Sequence, residues 1–306
     1  MERKFHILVD VDDVRIDTFL SEKLSLTRNK IKVLIEGGHV RSGNKPLKPS
    51  LKVKKSMEIE GELVSDEPLS LSPETIPLDI IYEDDWILAV NKPKGMVVHP
   101  SFGHYRGTLV HAMLGYLGER EGFEDTERPG IVHRLDKDTT GVILLAKDSK
   151  TQEILSRQFN HRSVEKVYRA VVEGVVKKEE GTVEGDIGRH PKERKRMAIV
   201  RKGGRYALSR YRVIQRLSDS SYVEVYPSTG RTHQIRVHLS SIGHPVVGDP
   251  IYSGKRRKQV ERPLLHAYRI SFDHPQSNKR IMLEAPIPDD IEEFLGSEPL
   301  QTKADG

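Results

Sequence analysis

A chain of 306 residues with 31% charged and 36% hydrophobic side chains has the composition of a soluble globular protein, long enough for one large and one small domain. It has no cysteine, which excludes disulfide frameworks, thiolate metal sites and cysteine nucleophiles, and its longest apolar runs, such as Val142 to Ala146, are too short to span a bilayer. The formal charge of +5 points only weakly to a polyanionic partner, so where the basic residues sit matters more than their sum.

In chain order, the opening MERKFHILVDVDD places acids directly after a brief apolar run and lacks the features of a secretory signal, so a chain that stays in the cytoplasm is expected. Ile16 to Leu24 carries apolar residues at helical spacing, and Thr27 stands where the N-cap of a second helix belongs. That helix runs to about Glu36, with Ile31, Leu34 and Ile35 inward, and Gly37-Gly38 stops it. Arg28 and Lys32, four apart, share an outward face. His39 to Arg41, a Ser42-Gly43-Asn44 turn and two further segments ending at Glu60 read as small strands, with Lys45, Lys48, Lys52, Lys54 and Lys55 among them. The order of helix, short link, basic helix, Gly-Gly and HVRSGNKPLKPSLKVKKSMEIE, over residues 14 to 60, resembles the S4 RNA-binding domain. The resemblance implies an RNA-facing surface that includes Arg28 and Lys32.

Ser-, Pro- and Glu-rich sequence without periodicity then predicts a linker over 63–78, leaving an S4-like α/β unit at 1–62, a larger domain at 79–297 and a disordered tail at 298–306. The larger domain reads as mixed α and β. Ile80 to Tyr82 and Trp86 to Val90 are strand-like, NKPKGMVVHP is a punctuated loop, and Val142 to Ala146 is a strand buried on both faces. Asp136, in GIVHRLDKDTTGVILLAK, lies in a loop just upstream of that strand. A carboxylate there can cap a turn or face a cleft, and spacing alone leaves both open. In SVEKVYRAVVEG, alternation predicts a strand that puts Tyr168 on one face with two small apolar residues, ordinarily a core position. In VYPSTGRTHQIRVHLSSIGHPVVGD, a strand ends at Pro227 and a helix starts near Thr232, with Arg231 at its entrance.

Taken together, HRLDKDTTG, KVYRA, GRTHQIRVHL with GHPVVGD, NKPKGMVVHP and the closing LLHAYRISFDHP and LEAPIP segments resemble the RluA-type family of pseudouridine synthases from Ile80 to about Pro288. The departure from the family pattern is Thr140, where serine is commoner. The resemblance implies an α+β fold, with a mixed, largely antiparallel sheet, flanking helices and a central RNA-binding cleft. It implies an isomerase that cleaves the glycosidic bond of uridine and rejoins the base through carbon 5, with Asp136 as catalytic carboxylate. Tyr168 would stack on the uracil or relay a proton, Arg231 would be the ion-pair arginine, and Arg134 would fill the gap left by the extruded base.

An ionised Asp136 in a partly dry pocket calls for a neighbouring cation, the role expected of Arg231. No cofactor is expected, since no P-loop or dinucleotide fingerprint is present, and no metal, since none of the 13 histidines falls in an H-E-x-x-H pattern. The basic stretch RHPKERKRMAIVRKGGR, with Lys195, Arg196 and Arg201, and the run Lys255, Arg256, Arg257 and Lys258 are candidate phosphate contacts, although a solvated loop is the plainer alternative. An S4-type module ahead of such a domain is the layout of the family's large-subunit ribosomal RNA enzymes. It implies 23S ribosomal RNA or an assembly intermediate as partner, with helix 69 as target. A monomer is the simplest expectation, with no obligate protein partner, and the short apolar runs leave no membrane span expected. The competing readings are an S4-type RNA-binding protein without catalysis, a family member acting on another ribosomal site or on transfer RNA, and a glycosidase using Asp136 and Asp138.

Overall fold

The computed structural model describes residues 3–43, 45–63, 71–101, 104–118, 123, 128–193, 196–253 and 260–300. It divides into units Met1–Ser70 and Leu71–Gly306.

In the first unit the helical apolar spacing forms α1 (Ile16–Leu24) and α2 (Arg28–Glu36). Thr27 caps α2, its side chain accepting from Lys30 N at 3.3 Å. Both helices lay their apolar faces, including Ile16, Leu20, Ile31 and Ile35, on a four-stranded sheet of β1 (Arg3–Leu8), β2 (Val40–Ser42), β3 (Lys45–Pro46) and β4 (Glu58–Leu63), in the order β1-β4-β2-β3. The sequence reading missed β1. Its alternation of Phe5 and Ile7 inward with Lys4, His6 and Leu8 outward is only six residues long and becomes a strand through its antiparallel pairing with β4.

The second unit is built on a ten-stranded sheet. Its strands are β5 (Ile80–Glu83), β6 (Ile87–Lys92), β7 (Thr140–Ala146), β8 (Glu165–Glu173), β9 (Glu180–Arg189), β10 (Met197–Ile199), β11 (Arg205–Arg216), β12 (Ser220–Pro227), β13 (Leu265–Asp273) and β14 (Arg280–Glu284). The order is β10-β9-β11-β12-β8-β13-β7-β6-β5, with β14 beside β13, and every pairing is antiparallel except β7 with β13. The mixed α+β architecture expected from the sequence is therefore present.

The continuous apolar run becomes β7, buried at every residue between α4 (Ser149–His161) on one face and α3 (Leu109–Leu117) on the other. Gly141, the second residue of this strand, has φ 110°, and an added Cβ there would lie 2.2 Å from Ala267 O of β13. The parallel pairing next to the Asp136 loop therefore depends on glycine. Thr140 places its hydroxyl 2.8 Å from His266 Nδ1, a contact that serine could also make.

Two boundaries differ from the sequence reading. Within the expected 63–78 linker, β4 extends to Leu63 and residues from Leu71 belong to the second unit, where Leu71 and Leu78 pack against Leu88 and Val90 and the Glu74 carboxylate accepts from Gly107 N. Isolated apolar residues in an extended strap carry no periodicity, which hid their burial. In the expected 298–306 tail, Pro299 O accepts from Ser218 N at 3.0 Å and Leu300 bridges Leu217, while residues 301–306 lie outside the described set. Among the described residues no helix is long and apolar enough to cross a membrane.

His238 and His266 are fully buried, and burial pushes each imidazole down to about 4. The unfolded chain binds these protons near pH 6.5, so the stability they contribute is full above that value and is lost as pH falls toward 4. At pH 5 the loss is on the order of 2 kcal/mol per histidine. Urea midpoints measured at pH 7 and pH 5 are expected to show clear weakening at pH 5 that is reduced in His266→Gln; equal midpoints would contradict it.

Candidate active site

The loop leading into β7 is held from two sides. His133 Nε2 accepts from Leu144 N at 2.9 Å and its ring stacks on Phe159, with centroids 4.6 Å apart. Burial, then the charge of Lys166, pushes this imidazole down to about 3, so it is a neutral acceptor. On the other side the fully buried Lys92 donates from Nζ to the carbonyls of Pro93 at 2.8 Å, Met96 at 2.9 Å and Lys137 at 2.9 Å. Burial drives Lys92 down to about 7, with Asp138 the largest opposing influence. Between these anchors Leu135 is buried, so its neighbours face out: Arg134 is exposed and the Asp136 side chain is 25% exposed.

The cation on Asp136 is Arg236, not Arg231. Arg236 Nη1 donates to Asp136 Oδ2 at 3.0 Å. The same guanidinium binds Asp249 through Nε at 2.6 Å and Nη2 at 2.9 Å, and its carbon lies 5.2 Å from the centre of the Tyr252 ring. Burial opposes the charge on Arg236, but Asp249 and then Asp136 outweigh it and raise its pKa above the ordinary arginine value. Asp249 is wholly buried and also accepts from Ile251 N and Tyr252 N.

The expectation for Arg231 fails because of where the helix begins. Helix α5 spans Gln234–Ser241, after His233 in a left-handed conformation at φ 56°. Side chains in its first turn lean back toward the N-terminus, which carries Arg236 to Asp136. Arg231 precedes the helix, lines the same cleft, and spends its Nε on Tyr206 O at 3.1 Å. Gln234 fixes this turn, accepting from Thr229 Oγ1 at 2.6 Å and Arg231 N at 3.0 Å while donating to Leu208 O and Ser209 Oγ.

These elements enclose a cleft of about 390 Å³ whose lining contains one carboxylate, Asp136, and the cations Arg134, Arg162, Lys166, Arg231 and Arg236. Tyr168 projects into it from β8, at the seam between two core clusters. Burial, then the charge of Asp136, raises its phenol well above the usual range. Tyr168 is therefore a protonated phenol near neutral pH, suited to stacking and to donating a hydrogen bond but not to taking a proton as phenolate.

The family described as RNA pseudouridylate synthase matches residues 86–241, and the S4 domain matches residues 14–59. A relative from Neisseria meningitidis serogroup A, Ribosomal large subunit pseudouridine synthase D, is 41% identical over 299 residues, covering 92% of this chain and 78% of its own. The chain belongs to the RNA pseudouridylate synthase family. Within it, an uncharacterized RNA pseudouridine synthase of Bacillus subtilis, YlyB, is 38% identical over 92% of this chain and 93% of its own. Human RNA Pseudouridylate Synthase Domain Containing 1 has a similar structure, with a TM-score of 0.58 and 26% identity over 75% of this chain and 98% of the human one. The enzyme is thus a pseudouridine synthase of the RluA type, an isomerase, with an S4 RNA-binding domain.

The other expected RNA contacts are distributed unevenly over the synthase. Arg28 donates to Asp17 at 3.0 Å, and Asp17 is also held by Arg15; those two arginines, Arg15 first, push its carboxyl far below the usual range. Lys32 lies 3.7 Å from Glu36. Arg196 lies 3.7 Å from Glu193 and 5.3 Å from the Tyr252 ring centre, and Arg201 is exposed in the turn between β10 and β11. Lys195 and residues 255–258 lie outside the described set. Sequence reasoning missed Arg236, Asp249 and Lys92, although all three stand in the segments that carried the resemblance. Among the described residues no group of three or more His, Asp or Glu side chains is disposed to hold a metal ion.

Proposed function

We propose that this synthase isomerises uridines of large-subunit (23S) ribosomal RNA in the loop of helix 69, with Asp136 acting on the reacting nucleotide. The observation that carries this reading is the Asp136 to Arg236 pair at 3.0 Å, a fixed carboxylate in a cleft whose other charged lining side chains are cations. Supporting the substrate are the S4 domain ahead of the catalytic domain and the ribosomal large subunit named for the Neisseria relative.

Cleavage of the C1′–N1 bond leaves the uracil free to turn within the cleft; forming the C1′–C5 bond breaks the C5–H bond, whose proton is lost to water while N1 gains one, so nothing external is consumed. Arg236 holds the Asp136 carboxylate in place through a hydrogen bond and supplies its countercharge. Tyr168 offers a flat face to the base, and its protonated phenol can donate to it. Asp136 attacks the nucleotide or stabilises the separated fragments, and in either role it must be a carboxylate. Purified enzyme is expected to release tritium from 5-tritiated uridine in helix 69 transcripts faster than in transfer RNA transcripts. Preference for transfer RNA would reassign the substrate, and release from neither would overturn the reading.

A stacked uridine must be extruded to reach the cleft, at a cost of a few kcal/mol. Arg134, two residues before Asp136, exposed and lining the cleft, would fill the vacated stack. Arg134→Ala is expected to lower kcat/KM about tenfold or more on folded RNA and much less on an unstructured oligonucleotide, by an amount set by the extrusion cost. Equal losses on both substrates would refute this role.

A further inference from the structure

Lys166 stands two residues before Tyr168 on β8, so alternation puts both on the face bordering the cleft, roughly 7 Å apart along the strand. It lines the cleft and is largely withdrawn from solvent, yet its side chain makes no hydrogen bond or ion pair among the described residues. Removing an ammonium from water without a counterion is costly. The nearest charge makes this worse. Arg162 ends α4 in a left-handed conformation at φ 60°, where glycine is ordinarily favoured, and its side chain also lines the cleft without a hydrogen-bond partner among the described residues. Burial, then Arg162, pushes Lys166 down to about 8. Asp136 is the one acid in the lining, and it is held by Arg236. Two like charges without a partner and a strained backbone at one of them do not stabilise the fold, but an incoming anion would neutralise both cations.

We infer that Lys166 and Arg162 form a subsite for one backbone phosphate of the RNA, next to the uridine that stacks on Tyr168. The inference rests on RNA being the substrate and adds which phosphate is read and by what. The span from Tyr168 to Lys166 matches the distance from a base to a neighbouring phosphate, and the flexible lysine stem covers the remainder. The titratable and charged groups facing Lys166 are Arg162 after α4 and His133 before β7, with Asp136, Tyr168, Arg134, Arg231, His233 and Arg236 lining the same cleft.

The test scans the RNA with single methylphosphonate substitutions, each of which neutralises one phosphate, against wild-type, Lys166→Met and Lys166→Arg enzymes. Each variant is first checked for native circular dichroism and thermal melting. One position next to the target uridine is expected to cost the wild type about tenfold in affinity and Lys166→Met almost nothing, the signature of a shared contact. The salt slope of Lys166→Met should also be shallower by about one.

Phosphate binding raises the lysine pKa, so affinity is full below about 8 and falls above it. Wild-type affinity should therefore drop several-fold from pH 7 to pH 9, whereas Lys166→Arg, which stays charged, should hold level. The arginine variant also separates this effect from the titration of Lys92. Lys166→Met and the wild type losing alike at every phosphate, or Lys166→Arg sharing the wild-type pH profile, would overturn the subsite while leaving tritium release intact. A wild type that shows the coupling but releases no tritium from this RNA would support the subsite and remove the helix 69 substrate instead.

Discussion

Asp136→Asn is expected to abolish tritium release, by about 10⁴-fold or more, while leaving RNA affinity unchanged or slightly tighter. The replacement is nearly isosteric, and its side-chain oxygen can still accept from Arg236 Nη1, so the geometry of the loop survives. What it lacks is the charge and nucleophilicity that both forms of the mechanism require. The loop itself does not depend on the carboxylate, being held by Lys92 on the Lys137 carbonyl and by His133 on Leu144 N. A loss of activity therefore reports on chemistry. Single-turnover tritium release with filter binding on the same RNA checks both halves; appreciable release by the variant would remove Asp136 from its role.

The second large effect separates the two arginines of GRTHQIR. Arg236→Met leaves the Asp249 carboxyl wholly buried and without its bidentate partner, and leaves Asp136 without its countercharge. Breaking such a pair costs about 3–5 kcal/mol, or about 10 °C in the melting temperature of a unit this size, together with most of the activity. Adding Asp249→Asn removes the stranded carboxyl while keeping an acceptor for Ile251 N and Tyr252 N. It should restore much of the stability and none of the catalysis. Arg231→Ala should melt within about 1 °C of wild type and lower RNA affinity mainly through a shallower salt dependence. Differential scanning calorimetry with tritium release distinguishes them; an Arg231→Ala variant as unstable and inactive as Arg236→Met would reverse the assignment.

What could be read from the sequence follows from the range of the interactions involved. The two helices of the first unit were legible to their ends because local rules set them: apolar spacing within each, and Thr27 capping the second. The buried strand β7 was legible because the five consecutive residues Val142 to Ala146 lack a polar face. Strand β1 and the strap from Leu71 to Leu78 were not, since each is ordered by partners far along the chain rather than by its own pattern. At the site, Asp136 and Tyr168, the carboxylate and the tyrosine singled out in the sequence, line one cleft. The ion-pair arginine was misplaced by five positions because the choice depends on the register at which α5 starts. That register is set by left-handed His233 and the Gln234 hydrogen bonds, details that no spacing rule fixes. The partners of Arg236 lie 100 residues before it and 13 after it, and only the folded sheet brings them together.

The most direct measurement of the central claim is to map pseudouridines by carbodiimide-blocked reverse transcription in cells lacking the gene and complemented with wild-type or Asp136→Asn protein. Stops in the loop of helix 69 should vanish with the gene, return with the wild type and stay absent with Asp136→Asn. Stops in the large-subunit RNA that are unchanged by loss of the gene, or restored by the aspartate variant, would contradict it.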